Sequence, residues 1–262
     1  MILDLEDSVL DEQVDLARNN VREAVKGHSL TDREILVRVN GINTAWCEAD
    51  IRALADVELD GLVFPKVDSV RDVKNLEALM SDCGMDDALP VWLMIESPTA
   101  LLDMRDILNS SKRVNCVLLG TADLGKALRM PETPGRLGLL SYLSYCVLVA
   151  RDQGVDIIDG IFQNFKDVRG LEKACEQGRN LGFDGKSLIH PGQIETANRV
   201  FSPEPQAIEE AEQIVAAWQV GNKTGSGIVV YQGRMIEALH VESARNLLRR
   251  VQLIEASRHT ET

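Results

Sequence analysis

No stretch of apolar residues in this chain is long enough to cross a bilayer, and no signal-peptide pattern opens it. Those absences argue against a membrane span and against export, and make a cytoplasmic setting the expectation. Cysteine is sparse: Cys47, Cys83, Cys116, Cys146 and Cys175 lie far apart, with no C-x-x-C pair and no Cys/His cluster. A disulfide framework and a structural zinc site are therefore not expected. Basic residues are outnumbered, 28 Lys and Arg against 41 Asp and Glu, for a formal net charge of −13. There is no basic footprint for nucleic acid or an anionic membrane, although a local basic pocket for an anionic cofactor stays open. Also missing are a nucleophile elbow, a P-loop and a dinucleotide fingerprint. The stretch Gly120-Thr121-Ala122-Asp123-Leu124-Gly125 lacks the glycine spacing of either phosphate loop.

What remains is an ordinary globular mixture, 45% hydrophobic and 26% charged over 262 residues. That length suits one large α/β barrel or two modest domains. Seven short apolar runs stand out: Ile2–Leu5, Ile35–Val39, Leu62–Val67, Val91–Ile95, Val117–Leu119, Ile157–Phe162 and Ser187–Ile189. They are continuous rather than alternating, as parallel strands covered on both faces should be. Measured from the first residue of each run, with Leu62, Val91 and Val117 for the middle three, the steps are 33, 27, 29, 26, 40 and 30 residues. That is the period of βα units, and seven in succession favour a TIM-type (β/α)8 barrel over an open sheet. One strand of eight is missing, because Met1 leads directly into Ile2-Leu3-Asp4.

Between the runs lie helical stripes: Val14, Leu16, Ala17, Val21, Ala24 and Val25 form one, Val70, Val73, Leu76, Leu79 and Met80 another. Ser69 with Asp72, and Ser97 with Pro98, signpost helix starts. The 40-residue step holds the loop Met130-Pro131-Glu132-Thr133-Pro134-Gly135 and an apolar helix around Leu139–Val149. Such a loop after a barrel strand would lie over the mouth. The barrel domain is expected over 1–205 and a C-terminal appendage over 206–262. In the appendage a helix is read at Ala207–Trp218, a Gly-rich connection at Gly221–Gly227, a hairpin at Gly227–Glu237 turning at Gln232-Gly233, and a helix from Ser243 to Ile254.

In barrels, catalytic groups stand at the carboxyl ends of strands. Glu96 ends the fourth run and Asp123 follows the fifth, so two carboxylates from neighbouring strands face one rim. Two hard carboxylates, with water and substrate oxygens, are how proteins hold Mg²⁺. The bland alternative leaves Glu96 solvated and Asp123 as a helix cap, although Ser97 and Thr121 are there to cap. Arg38 emerges where a buried run ends and suits a carboxylate, either of a substrate or of Glu6 or Asp7 next door. Lys66 either meets an anionic substrate or points to solvent. His190, before Pro191, reads as a conformational fixture sooner than a base. Lys26 and His28 read as surface residues, and the cysteines as core or surface thiols.

These stretches resemble the citrate lyase beta-subunit-like family, which includes malyl-CoA, β-methylmalyl-CoA and citramalyl-CoA lyases. The resemblance runs through Ile2-Leu3-Asp4-Leu5-Glu6-Asp7-Ser8-Val9, Val37-Arg38-Val39-Asn40, Phe64-Pro65-Lys66-Val67, Ile95-Glu96-Ser97-Pro98 and Gly120-Thr121-Ala122-Asp123. It is longest from Leu181 to Pro191, and continues in Ala197-Asn198-Arg199-Val200-Phe201. By that resemblance Glu96 and Asp123 are the metal ligands and Arg38 binds the carboxylate of a keto or hydroxy acid. Glu6 and Asp7 are mouth residues that support the site, and the segment around His190 lines a thioester-cofactor pocket. The implied activity is Mg²⁺-dependent retro-Claisen cleavage of a malyl-, citramalyl- or citryl-type thioester, giving a keto acid and an acyl-CoA. The alternatives are the beta subunit of a multi-component citrate lyase, working on a carrier-protein thioester, and a binding homologue without turnover. Family members are typically homotrimers or dimers of trimers, the C-terminal appendage of one subunit covering the mouth of the next.

Two departures stand out. The family's opening strand, with a basic residue and an L-F-V-P-G-like turn, is not seen. The family's catalytic aspartate in the C-terminal hairpin is replaced by Glu237, in Gly233-Arg234-Met235-Ile236-Glu237.

Overall fold

Six of the seven apolar runs supply parallel strands, and the seventh strand forms just before its run. They are β1 (Ile2–Asp4), β2 (Leu36–Arg38), β3 (Gly61–Phe64), β4 (Val91–Ile95), β5 (Val114–Leu119), β6 (Asp156–Asp159) and β7 (Gly185–Lys186) in a computed structural model. The structure describes residues 1–26, 33–131, 133–223 and 229–259. His28 and Glu132 lie outside the described residues, as does most of the Gly-rich connection read at 221–227. The chain divides into two compact units, Met1–Phe201 and Ser202–Thr262.

In the first unit the strands stand in chain order, β1 to β7, every neighbouring pair parallel. A doubly wound sheet reverses its order at a switch point; this one does not. The helices are α1 (Val14–Lys26), α2 (Cys47–Leu54), α3 (Val70–Asp82), α4 (Pro98–Leu102), α5 (Met104–Asn109), α6 (Thr121–Ala127), α7 (Leu140–Gln153), α8 (Val168–Leu181) and α9 (Ile194–Phe201).

Strand side chains alternate between faces, and two apolar clusters result. Val37, Leu62, Phe64, Leu93, Ile95, Val117, Leu119 and Ile157 join helix residues such as Ile51, Leu76, Ile107 and Val200 in the main core. Leu36, Val63 and Leu118, with Trp92, Met94 and Ile158, pack separately on the opposite face. That second face decides where the chemistry sits. Arg38, Glu96 and Gly120 each follow one of its members by two residues, so they project from the same face at the carboxyl edge.

The last sequence run is corrected. Ser187–Ile189 is not a strand: the final ladder bond runs from Ser187 N–H to Asp159 O at 2.8 Å, and Ile189 N–H turns to Gln193 Oε1 at 2.9 Å. The expected Ser caps are present. Ser69 Oγ accepts from Asp72 N–H at 3.2 Å, and Ser97 Oγ from Ala100 N–H at 3.0 Å. Thr121, expected to cap, is buried inside α6, which starts at Gly120 without a side-chain cap. The eighth barrel strand has no counterpart: among the described residues the sheet has seven, and its edge strands β1 and β7 do not pair.

The second unit holds α10 (Pro205–Lys223), a hairpin of β8 (Val229–Tyr231) and β9 (Arg234–Ile236), and α11 (Ala238–His259). The hairpin turns on Gln232 and Gly233, both at positive φ (44° and 76°), as a tight turn matched to strand twist requires. Among the described residues no helix is long and apolar enough to cross a membrane.

Candidate active site

Glu96 leaves β4 on the inner face and is nearly buried, 7% exposed. Its Oε1 accepts the backbone N–H of Lys66 at 2.6 Å. Its other flank lies against Gly120: a Cβ there would stand 2.3 Å from Glu96 Cβ and 2.7 Å from Oε2. Only a residue without a side chain fits at that approach. Gly120 ends β5 and leads into α6, whose first turn presents Asp123 to solvent. Asp123 caps nothing; among the described residues it accepts no hydrogen bond and meets no cation. Burial raises the Glu96 carboxyl above the usual glutamate range, and the charges of Glu6 and Asp123 add to this against the opposing Lys66 amide.

On the same carboxyl edge, Arg38 ends β2. Its ladder partner in β1 is Asp4, and the two are joined by a fork of hydrogen bonds, Nε to Oδ1 and Nη2 to Oδ2, both 2.6 Å. Nη1 reaches Glu6 Oε2 at 3.0 Å and Asp7 Oδ2 at 3.5 Å. The ion pairs weighed for Arg38 with Glu6 and Asp7 therefore exist, while its main partner, Asp4, was missed. The signal was available in strand alternation, since Asp4 and Glu6 share a face. Burial works against charge on Asp4, yet the hydrogen bonds from Arg38 and Ser8 outweigh it and hold this carboxyl below the usual range.

Lys66 does not simply point to solvent. Its ammonium, about half exposed, binds Glu6 Oε1 and lies 3.7 Å from Asp7. Burial raises Glu6; Lys66 and Arg38 pull it down, Asp7 pushes it up, and the net direction is upward. Asp4, Glu6, Asp7, Arg38, Lys66, Glu96 and Asp123 thus gather at the carboxyl edge from β1 through β5. Lys26, exposed, lies 3.4 Å from Asp56, away from this group. His190 is exposed in the loop after β7, where its Nδ1 accepts from Gly192 N–H at 3.0 Å. The role as a conformational fixture is the one its bonds describe. Glu237 belongs to the second unit, where its N–H donates to His240 Nδ1 at 3.1 Å. The thiols are poor nucleophiles: burial pushes Cys47 and Cys146 up to about 12 and raises Cys116 as well.

One polar network went unread in the sequence. On the helix-facing side of β6, buried Asp159 accepts from Lys186 Nζ at 2.8 Å and from Arg136 Nη1 at 2.7 Å, while Arg136 Nε binds Gln177. It pins the loop before α7 to the sheet, and its residues face away from Glu96.

The donor set fits a divalent ion. Five carboxylates face two cations, the chemistry is all oxygen, and two of the carboxylates, Glu96 and Asp123, repel one another. Among the described residues no group of three Asp, Glu, His or Cys side chains converges as a ready ligand set. A metal would be held by Glu96 and Asp123, with water or substrate filling the remaining positions.

Chemistry-bearing side chains gathered at the carboxyl edge of a parallel βα sheet are the layout of α/β enzymes. The chain belongs to the HpcH/HpaI aldolase/citrate lyase family, whose profile matches residues 1–191. It is 39% identical over 258 residues to a (3S)-malyl-CoA thioesterase of Cereibacter sphaeroides, covering 98% of this chain and 88% of that protein. It is 31% identical over 279 residues to an L-malyl-CoA/beta-methylmalyl-CoA lyase of the same organism, covering 97% and 87%. Of solved structures, CitE of Mycobacterium tuberculosis in complex with magnesium, acetoacetate and coenzyme A aligns with a TM-score of 0.74 at 25% identity, covering 95% of this chain and 88% of that one.

Proposed function

We propose that the chain is a Mg²⁺-dependent enzyme acting on a malyl-type acyl-CoA thioester, cleaving its carbon–carbon bond to a keto acid and a shorter acyl-CoA. The observation that carries the reading is the Glu96–Asp123 pair, two mutually repelling carboxylates on the same carboxyl edge as an oriented guanidinium, Asp123 without a hydrogen-bond partner among the described residues. The strand order and the separate inner-face cluster support a barrel-type sheet of the TIM kind that is open between β1 and β7.

Each residue has a task in this account. Glu96 and Asp123 hold the metal, which when bound would polarise the substrate's hydroxyl and carboxylate. Lys66 N–H fixes the Glu96 carboxylate, so that it is already aimed before the metal arrives. Asp4 locks one edge of Arg38. A substrate carboxylate then exchanges for Glu6 and Asp7 at Nη1, the more loosely held side. The thioester fragment that departs as a carbanion must gain a proton. Glu237 is proposed as that acid, delivered by the second unit of a neighbouring subunit in a homotrimer or dimer of trimers. We assign the enzyme to the cytoplasm.

The 39% identity to a thioesterase favours a second reading, hydrolysis of the same substrate to malate and free CoA. Product analysis separates the two. Purified protein with (3S)-malyl-CoA and Mg²⁺ should release glyoxylate and acetyl-CoA in equal amounts. Malate with free CoA in their place establishes the hydrolase. Turnover that survives both Glu96→Ala and Asp123→Ala removes the proposed site under either reading.

A further inference from the structure

One backbone rung is missing between β1 and β2, and a side chain stands in its place. Leu36 N–H donates to Met1 O at 2.8 Å and Leu5 N–H to Arg38 O at 2.9 Å, so the next bond of a parallel ladder is Asn40 N–H to Leu5 O. It is not made. Leu5 O accepts instead from Asn40 Nδ2 at 2.9 Å, and Asn40 N–H turns to Asp50 Oδ2 at 3.0 Å. On its other side β2 continues undisturbed, with Val39 N–H donating to Val63 O at 3.1 Å.

Asp50, in α2, is fully buried, and a buried carboxylate needs its hydrogen bonds from the protein. Its Oδ2 takes both Asn40 donors, the backbone N–H and Nδ2, the latter at 2.7 Å. Its Oδ1 takes Arg18 of α1, from Nε at 3.0 Å and from Nη2 at 2.7 Å. Asn40 Nδ2 therefore bridges a buried carboxylate and the carbonyl of Leu5, and two helices fix the bridge.

Asp4 stands opposite Arg38, so in a continued ladder Glu6 would stand opposite Asn40, beyond the guanidinium. With the rung diverted, the chain turns after Leu5. Glu6 N–H donates to Asp4 Oδ1 at 3.0 Å, and Glu6 Oε2 reaches back to Arg38 Nη1 at 3.0 Å. That is the side of Arg38 on which the substrate carboxylate is proposed to enter. We propose that Asn40, oriented by Asp50, is a positioning residue: it spaces β1 from β2 so that Glu6 and Arg38 frame the opening for that carboxylate. The proposal rests on the reading that Arg38 binds the carboxylate, and adds what sets the width of the opening.

Asn40→Asp keeps the size of the side chain and removes its donor to Leu5 O. In that variant of the full chain, KM for (3S)-malyl-CoA should rise on the order of tenfold. The inhibition constant of 3-hydroxybutyryl-CoA, which has a methyl group where malyl-CoA has its carboxylate, should not change. The Arg38 Nε–H signal in a nitrogen–proton correlation spectrum, identified by its loss in Arg38→Lys, should shift. Ile107→Ala, a core substitution on α5, controls for lost stability alone and should change none of the three. Should Asn40→Asp not fold, Asp50→Asn is read in its place, with the same directions expected. An unchanged KM, a KM and an inhibition constant that rise together, or the same changes in Ile107→Ala overturn the positioning role. A shifted Arg38 signal in a protein that turns over no thioester supports that role and sinks the assigned reaction. An unmoved signal overturns the role whatever the turnover, so the two ideas fail separately.

Discussion

Lys66 donates its backbone N–H to Glu96 at 2.6 Å, and does so from a left-handed conformation, φ +55°. A non-glycine residue there is uncommon, costs about 1–3 kcal/mol, and persists where surrounding structure fixes it. The strain turns the amide at the end of β3 toward the carboxylate at the end of β4.

Lys66→Gly should keep this amide while relieving the backbone, so metal binding is retained with loss limited to the ammonium's contact with Glu6. Lys66→Pro has no N–H and cannot adopt the required φ. It should lower turnover by on the order of a hundredfold, measured as kcat for the two variants side by side.

Gly120→Ala drives a methyl group into Glu96. Overpacking of this kind costs about 1–3 kcal/mol, and relief comes by moving the carboxylate. The expected outcome is a folded protein, seen as a cooperative thermal transition, with metal affinity reduced at least about tenfold.

Asp4→Asn reports on the Arg38 pair. Because the Asp4 carboxyl sits below its ordinary value in the fold, its stabilising contribution is present above the unfolded-state pKa. It is lost as pH falls through the lowered folded value. Urea titrations should show the variant less stable by roughly 1–3 kcal/mol at pH 7. The gap should close as pH drops below about 4.

Most of the first unit was legible because parallel strands covered on both faces are written as continuous apolar runs, one per βα unit. The strand at Val91–Ile95 matches its run end to end. The last strand was misplaced by its composition: the apolar Leu188 and Ile189 follow the ladder, while Gly185 and Lys186 form it. Lys186 went unread in the sequence; it is buried, with Asp159 compensating its charge. Pairings between side chains some 30 residues apart, such as Arg38 with Asp4, depend on register, which apolar spacing alone does not disclose. The Lys66 amide is a backbone contribution, and no residue type encodes it.

The Asp159 network predicts a stability effect with no catalytic signature of its own. Asp159→Ala leaves Lys186 and Arg136 without their carboxylate, and breaking such a buried pair costs about 3–5 kcal/mol. Denaturant unfolding should show that loss. Lys186→Met, which leaves Asp159 its bond to Arg136, should cost less.

The most direct test is Mn²⁺ binding, followed by electron paramagnetic resonance on the unmodified chain and on Glu96→Gln and Asp123→Asn. The ion is expected to occupy one site per chain, and each substitution should weaken Kd at least about tenfold while thermal unfolding stays cooperative. Undiminished Mn²⁺ affinity in both variants would contradict the assignment of these two carboxylates.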